Sequence, residues 1–191
     1  MIVRSLSHLP PPPSEGRFVL DVHSRTGRTT SELLHRLESG SRVLAIEEQP
    51  AQISIAKAKV RPEWKQRVYF KEGDFDDVTE MDDESYDLTV ANLVLGEVVA
   101  DWRAAIGELV RVTKPGGVVL ASIPLYGTWA EVEDLFEEVL RDSGRRDAIG
   151  TLNKLRRMRP RPKALADACE GVELDERDYI IEHERFELLF R

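Results

Sequence analysis

Cysteine is nearly absent, since Cys169 is the only one in 191 residues. One thiol excludes a disulfide framework and a zinc site built from cysteines, and we expect Cys169 to be a small buried residue on a helix. The chain also lacks any apolar run near the ~20 residues that a membrane-spanning helix needs. Prolines at 10–13 interrupt the N-terminal stretch before the apolar core of a signal peptide can form. These absences predict a cytoplasmic protein without a membrane span or a metal centre.

Basic residues are in deficit, because 27 Lys and Arg face 35 Asp and Glu and the net charge is −8. Binding to nucleic acid phosphates needs the opposite balance, so we expect no nucleic-acid partner. Residues 152–163 are the exception. Two interpretations stay open for this segment: a positive rim that attracts an anionic acceptor or a protein partner, or a solvated basic helix face. The segment contains no acid and six basic residues: Lys154, Arg156, Arg157, Arg159, Arg161 and Lys163.

The length and an apolar content of 41% favour one domain with a substantial core. Prolines 10–13 predict an extended arm over residues 1–16, and the folded domain is expected to span 17–191. Within it, β-prone runs alternate with helical patterns, which predicts an α/β fold with a doubly wound, mostly parallel sheet. The predicted strands are 18–22, 43–46, 68–70, 86–91 and 118–123, and the predicted helices between them are 27–37, 50–60 and 98–109.

The C-terminal third begins with a helix signal. Thr128 and Glu131 have the spacing of a capping box, and the apolar positions behind them predict a helix over 128–141. A tight turn is expected earlier, at residues 114–117, where the sequence is KPGG. Four more elements follow by the same criteria: helices at 147–158 and 162–170, and an antiparallel pair of strands at 172–181 and 185–190.

Several motifs lie in order at the ends of these strands. They read VLDVHSRTG at 19–27, AIE at 45–47, GDF at 73–75, YDLTVAN at 86–92 and RVTKPGG at 111–117. Together they resemble the class I S-adenosylmethionine-dependent methyltransferases, and the resemblance extends over nearly all of 17–191. A nicotinamide-binding Rossmann domain is the nearest rival, but no G-x-G-x-x-G follows the first strand.

The resemblance implies a seven-stranded Rossmann-like fold with S-adenosylmethionine as cofactor and S-adenosylhomocysteine as product. It implies that Glu47 binds the ribose hydroxyls, because a carboxylate can accept two hydrogen bonds from a vicinal diol. It also implies that Asp74 and Phe75 hold the adenine. The remaining cofactor-binding positions that it implies are Asp21, His23, Arg25, Gly27 and Asn92.

The first loop departs from the family pattern. His23 and Arg25 stand where glycines let the backbone pass under the cofactor, and only Gly27 is retained. Two functions therefore stay open: methyl transfer to an acceptor, or a pseudo-methyltransferase that has lost its cofactor and serves as a protein-interaction or regulatory domain. In the pseudo-methyltransferase alternative, Arg25 pairs with Asp21 or Glu47, and this ion pair fills the cofactor pocket.

The acceptor is less well defined by the sequence than the cofactor. Residues 124–160 correspond to a helical lid that selects the acceptor in the family, and their beginning resembles small-molecule and acyl-carrier carboxyl methyltransferases. We expect an anionic small molecule or a carrier-bound group, and a carboxylate acceptor needs no base. The polar groups expected near it are Glu97, Tyr126 and His183.

The end of the fourth strand argues against one class of acceptor. Asn92 is followed by Leu93-Val94-Leu95, whereas enzymes that methylate amino groups of nucleic acids or glutamine amides carry Pro-Pro and an aromatic residue there. Adenine and glutamine amides are therefore not expected as substrates.

Overall fold

The structure, a computed structural model, describes residue 9 and residues 11–169, 180–182 and 185–190. None of the helices in this part of the chain is long and apolar enough to cross a membrane. The strands are β1 Phe18–Val22, β2 Arg42–Glu47, β3 Val68–Glu72, β4 Tyr86–Asn92, β5 Thr113–Ile123, β6 Ile180–Glu182 and β7 Arg185–Phe190. The α-helices are α1 Arg28–Arg36, α2 Pro50–Ala58, α3 Asp76–Thr79, α4 Trp102–Arg111, α5 Ala130–Asp142, α6 Arg146–Met158 and α7 Pro162–Cys169.

The strands form one seven-stranded sheet in the order β3-β2-β1-β4-β5-β7-β6. Strands β1 to β5 are all parallel to one another, and β7 runs antiparallel to both β5 and β6. The predicted mostly parallel, doubly wound sheet with an antiparallel terminal strand is therefore confirmed. Because the chain moves outward in opposite directions from β1 and β4, the strand order reverses between these two strands, and a crevice opens beyond their carboxyl ends.

Helices cover both faces of the sheet because successive strand residues point to opposite sides. Val19 in β1 packs on one face in a buried cluster with Leu33 of α1. The next residue, Leu20, packs on the other face with Ile106 and Leu109 of α4. This two-sided burial is the physical reason that the strands read as continuous apolar runs in the sequence.

Two predicted boundaries differ from the structure. The helix expected from residue 98 begins at Trp102, where the Asp101 carboxylate accepts the N–H of Ala104 at 3.1 Å as a cap, and Val98 is exposed. The turn expected at 114–117 lies inside β5, whose pairing with β4 is irregular opposite Tyr86. There the left-handed φ of 75° at Gly116 bends the strand without ending it.

Several predictions concern residues outside the described part of the chain. These are residues 1–8 and 10 of the expected arm, most of the expected strand 172–181, and His183. Residues 11–15 of the arm are described and exposed.

The capping box expected at Thr128 is wrong. Trp129 precedes α5 with a left-handed φ of 68° and no side-chain cap, and the Thr128 hydroxyl oxygen instead accepts the N–H of Leu125 at 3.0 Å. The helical spacing behind it is confirmed, but the apolar side chains of α5 point to solvent, and no residue of this helix is buried. We call the exposed group the α5 stripe; it consists of Trp129, Val132, Leu135, Phe136 and Val139, which are 52–63% exposed.

Ion pairs hold the α5–α6 hairpin together. The guanidinium of Arg156 contacts three carboxylates of α5, namely Glu133 at 3.1 Å, Asp134 at 2.7 Å and Glu137 at 2.7 Å. Arg159 contacts Glu133 at 2.6 Å. Two of the six basic residues in 152–163 are thus used inside the protein, which leaves a smaller positive surface than the sequence predicted.

Replacing Arg156 with alanine is expected to lower the free energy of unfolding by about 1 kcal/mol, because Glu133 and Glu137 each lose one of two guanidinium partners and keep Arg159 and Arg141. In a chain of this size the unfolding midpoint falls by roughly 3 °C. Thermal unfolding followed by circular dichroism measures the change. Arg157→Ala is the matched control, since Arg157 is exposed on the same helix, and an equal loss in both variants would contradict the role given to Arg156.

Candidate functional site

The crevice between β1 and β4 brings together most of the residues implied as cofactor-binding. Asp21 lies near the end of β1, Glu47 ends β2 and Asn92 ends β4. Residues 23–27, which we call the β1 loop, connect β1 to α1 on the same side. In open α/β sheets, ligands bind beyond the carboxyl ends of the strands at the point where the strand order reverses. This edge is therefore the candidate site.

The β1 loop keeps a left-handed backbone at alternate positions. The φ angles are 51° at His23, 51° at Arg25 and 74° at Gly27. Non-glycine residues rarely adopt this region, and each such residue stores roughly 1 kcal/mol of strain. The loop therefore has the backbone shape for which the family uses glycines, although two of the three glycines are replaced.

Gly27 has a packing explanation that is independent of any ligand. A Cβ added there would lie 2.7 Å from the Cβ of Ala56 in α2, and the backbone is left-handed. Only glycine lets α1 begin this close to α2. The retention of Gly27 is therefore required by the fold and does not by itself indicate a cofactor.

The buried carboxyl of Asp21 has one satisfied and one unsatisfied oxygen. The hydroxyl of Thr30 donates to Oδ2 at 2.5 Å, whereas Oδ1 has no partner. Burial raises the pKa of Asp21 to about 7; the hydrogen bond from Thr30 opposes this rise and the negative charge of Glu47 adds to it. A donor group placed at Oδ1 would satisfy the free oxygen and favour the ionised form.

Two further polar atoms of the β1 loop are buried without a partner. They are Nε2 of His23 and the hydroxyl of Ser24. Burial also lowers the pKa of His23, against the opposing effect of nearby acids, so its ring is neutral at pH 7. Buried polar groups are normally hydrogen-bonded. Three such atoms at one loop, counting Asp21 Oδ1, fit a site shaped for a polar ligand.

Glu47 is buried and fixed in orientation by two backbone groups. Its Oε2 accepts the N–H of Arg25 at 2.8 Å, and its Oε1 accepts the N–H of Gln49 at 3.0 Å. Each carboxylate oxygen can accept two hydrogen bonds. One acceptor position on each oxygen is thus left for a ligand, which fits a vicinal diol.

The side chain of Arg25 crosses the crevice. Its guanidinium donates to the backbone carbonyl of Leu93, just beyond β4, at 3.0 Å. The ion pair with Asp21 or Glu47 that the pseudo-methyltransferase alternative required is not formed, since only the backbone N–H of Arg25 reaches Glu47. The acids of the site are therefore not neutralised by this arginine.

Asn92 links three elements. Its amide nitrogen donates to the Thr29 hydroxyl of α1 at 3.2 Å, and its amide oxygen accepts the Ser122 hydroxyl of β5 at 2.6 Å. These bonds fix α1 and β5 against the end of β4, beside the candidate site.

The two residues implied for adenine lie at the other end of the edge, after β3. Asp74 is exposed, and its carboxylate accepts the N–H of Asp76 at 2.8 Å. Phe75 is buried in the hydrophobic core. Asp74 thus has an accessible carboxylate, whereas the Phe75 side chain serves packing.

A cavity of about 250 Å³ opens beyond β4 and β5. Glu97 is in it, but Arg159 engages its carboxylate at 3.2 Å. Tyr126 is outside the lining and stacks on Arg161, 4.3 Å from the ring centre. The sequence did not predict Thr128 and Trp129 as residues of the site. The one feature that could have indicated them is that they follow a predicted strand. The described lining residues are Arg25, Leu93, Glu97, Ile123, Pro124, Thr128 and Trp129.

Two larger depressions, of about 380 and 340 Å³, lie at the opposite edge of the sheet. One surrounds the 114–117 segment and the other lies beside the beginnings of β1 to β3. Neither is lined by a residue of the β1 loop, whereas Arg25 of that loop lines the smaller cavity. We therefore assign the site to the smaller cavity at the carboxyl edge. Among the described residues, no group of His, Cys, Asp and Glu is arranged to hold a metal ion.

Known proteins share this fold and part of this sequence. Residues 20–121, more than half of the chain, match a protein-family profile described as a methyltransferase domain. A malonyl-[acyl-carrier protein] O-methyltransferase from Serratia marcescens is 31% identical over 102 residues, which are 53% of this chain and 37% of that protein.

Two solved structures cover the whole of this chain. An O-methyltransferase family protein from Burkholderia thailandensis superposes with a TM-score of 0.67 at 18% identity, and 55% of that protein is covered. An arsenic(III) S-adenosylmethionine methyltransferase from Chlamydomonas reinhardtii gives 0.61 at 17% identity, with 72% covered. The chain spans less than two thirds of the length of the Serratia and Burkholderia proteins.

Proposed function

The chain belongs to the methyltransferase domain family, and from that premise we propose that it transfers a methyl group from S-adenosylmethionine to a small or carrier-bound acceptor. The β1 loop carries this proposal. It combines a left-handed backbone at three alternate positions with two buried polar atoms that lack partners, and a third such atom, Asp21 Oδ1, lies in the adjoining strand β1. Packing alone does not explain such atoms, because an unsatisfied buried polar group costs about 1–3 kcal/mol.

The residues fit the cofactor in two places. The oriented carboxylate of Glu47 has two acceptor positions left for the ribose hydroxyls. The second is Asp74, whose carboxylate is accessible at the far end of the crevice. When bound, S-adenosylmethionine supplies a methyl group on a sulfonium, which is a good leaving group. The chain itself would act by holding the acceptor in line and excluding water.

A carrier-bound acceptor is supported by the Serratia relative, whose name specifies an acyl-carrier protein. The cavity also fits this class, because about 250 Å³ admits a short chain and not a bulky molecule. The exposed basic residues of 152–163 that have no role inside the hairpin would face such a partner. They are Lys154, Arg157, Arg161 and Lys163.

Titration of the full chain with S-adenosylhomocysteine in a calorimeter tests the proposed function. We expect saturable binding of S-adenosylhomocysteine and no heat from NAD⁺, which the loop lacks the glycine pattern to bind. No heat at millimolar S-adenosylhomocysteine would reject the proposal. That result would leave a pseudo-methyltransferase, with the fold retained and the cofactor lost.

Arg25→Gly is expected to raise the affinity for S-adenosylhomocysteine about tenfold. The variant relieves a left-handed non-glycine residue and removes the side chain that crosses the crevice to Leu93. The same titration measures it. Thr26→Gly is the matched control, because Thr26 is in the same loop but is not among the residues with positive φ. A gain in both variants would indicate general loosening of the loop.

A further inference from the structure

We infer that Arg25 selects the methyl acceptor and that the acceptor group is a carboxylate on a short apolar chain. The inference rests on the proposed function and adds the substrate class to it. Its basis is the position of Arg25, which belongs to the β1 loop but also lines the cavity beyond β4 and β5. One residue thus lies at the boundary between the two halves of the site.

The charges in the cavity favour an anion. Arg25 and Glu97 are the charged residues among its described lining. Arg159 engages the Glu97 carboxylate at 3.2 Å, so that charge is already compensated. The guanidinium of Arg25 has a backbone carbonyl as its partner and no carboxylate within ion-pair distance in the described part of the chain. Its remaining N–H groups can bind a carboxylate through two parallel hydrogen bonds.

The rest of the lining supplies an apolar wall and one hydroxyl. Leu93, Ile123, Pro124 and Trp129 are apolar. The Thr128 oxygen accepts the N–H of Leu125, which leaves its hydrogen free to donate to a second oxygen. An alcohol or an ammonium acceptor would need a base to remove its proton. The one carboxylate among the described lining residues is held by Arg159, so the cavity suits an acceptor that arrives already deprotonated.

The resulting step is balanced without a proton transfer. A carboxylate oxygen forms a bond to the methyl carbon as the carbon–sulfur bond breaks, and the electron pair of that bond passes to sulfur. The sulfonium becomes a neutral thioether and the carboxylate becomes a neutral methyl ester. Because the ester has lost the charge that Arg25 attracts, the same residue that binds the substrate favours release of the product.

Binding of two isosteric probes to the full chain tests the inference. With S-adenosylhomocysteine at saturation and pH 7.5, we expect hexanoate to bind about tenfold more tightly than hexanamide. Arg25→Gln should bring this ratio to about one without weakening S-adenosylhomocysteine more than about threefold. Arg146→Gln makes the same charge change at the far end of the α5–α6 hairpin and should keep the ratio. Arg25→Lys should retain part of the preference for hexanoate, because lysine keeps the positive charge but lacks the planar guanidinium that binds a carboxylate through two parallel hydrogen bonds.

The outcomes separate the two proposals. If S-adenosylhomocysteine binds but hexanoate and hexanamide are not distinguished, or if Arg25→Gln keeps the ratio, the inference is overturned and the proposed function stands. If Arg25→Gln weakens S-adenosylhomocysteine strongly, Arg25 binds the carboxylate of the cofactor itself, which also overturns the inference. If the natural protein does not bind S-adenosylhomocysteine, both proposals fail. Circular dichroism of Arg25→Gln and Arg25→Lys establishes that each variant is folded.

Discussion

Replacing Asp21 with asparagine is expected to remove about 3 kcal/mol of pH dependence from the stability of the fold between pH 4.5 and 7.5. Burial raises the pKa of Asp21 from 3.8 to about 7 in the folded protein. The folded state therefore holds a proton that the unfolded chain has lost over this range. This contribution to stability is complete below pH 3.8 and disappears as the pH rises through about 7.

Urea unfolding at four pH values from 4.5 to 7.5 measures the effect as the difference between the natural protein and Asp21→Asn. The natural protein should lose its advantage over the variant as the pH rises. A constant difference would show that Asp21 is ionised throughout. Asp77→Asn is a useful comparison, because a hydrogen bond from Lys71 lowers the pKa of Asp77. The natural protein should therefore not lose an advantage in stability over Asp77→Asn as the pH rises from 4.5 to 7.5.

Glu47→Ala is expected to weaken S-adenosylhomocysteine binding about 100-fold. Under the proposed function, the variant removes the carboxylate that accepts two hydrogen bonds from the ribose hydroxyls, each of which would contribute about 1.5 kcal/mol or more. The loop would also lose the acceptor that orients Arg25, since the Arg25 N–H donates to Glu47 at 2.8 Å. Calorimetric titration measures the change in affinity.

Glu48→Ala is the matched control for Glu47→Ala. It makes the same change of charge one residue further on, where the side chain is exposed, and should leave the affinity within about twofold. Equal weakening in the two variants would mean that the general negative charge of the site, and not the oriented carboxylate, attracts the ligand. Glu47→Gln should be intermediate, because the amide keeps one acceptor oxygen.

The sheet was predictable from the sequence because the same pattern, an apolar run followed by helical spacing, recurs along the chain. Strands β1, β2, β4 and β5 contain buried apolar runs, each is followed by a helical pattern, and Asp21, Glu47 and Asn92 mark the carboxyl ends. The shape of the β1 loop was not predictable from its residue types. The replacement of glycine at His23 and Arg25 suggested a changed loop, whereas the backbone keeps its left-handed angles. A preference of roughly 1 kcal/mol per residue is small beside the packing that fixes both ends of the loop.

The α5–α6 hairpin shows a different limit of prediction from sequence. Helical spacing in α5 is a local property and was read correctly, but spacing does not say whether an apolar face has a partner. The α5 stripe has none among the described residues, and the Thr128 hydroxyl caps a turn instead of the helix. The pairing of Arg156 with Glu133 joins residues 23 positions apart. Nothing in the composition of 152–163 distinguishes such internal arginines from the exposed Lys154 and Arg157.

The attachment of α5 determines which solution conditions should loosen the α5–α6 hairpin. Apolar packing weakens on cooling, but α5 buries no residue and is held to α6 by carboxylate–guanidinium contacts. Such contacts become less costly to desolvate as temperature rises, and added salt weakens the exposed ones among them. Ionic strength, more than temperature, should therefore set how firmly α5 is held against α6.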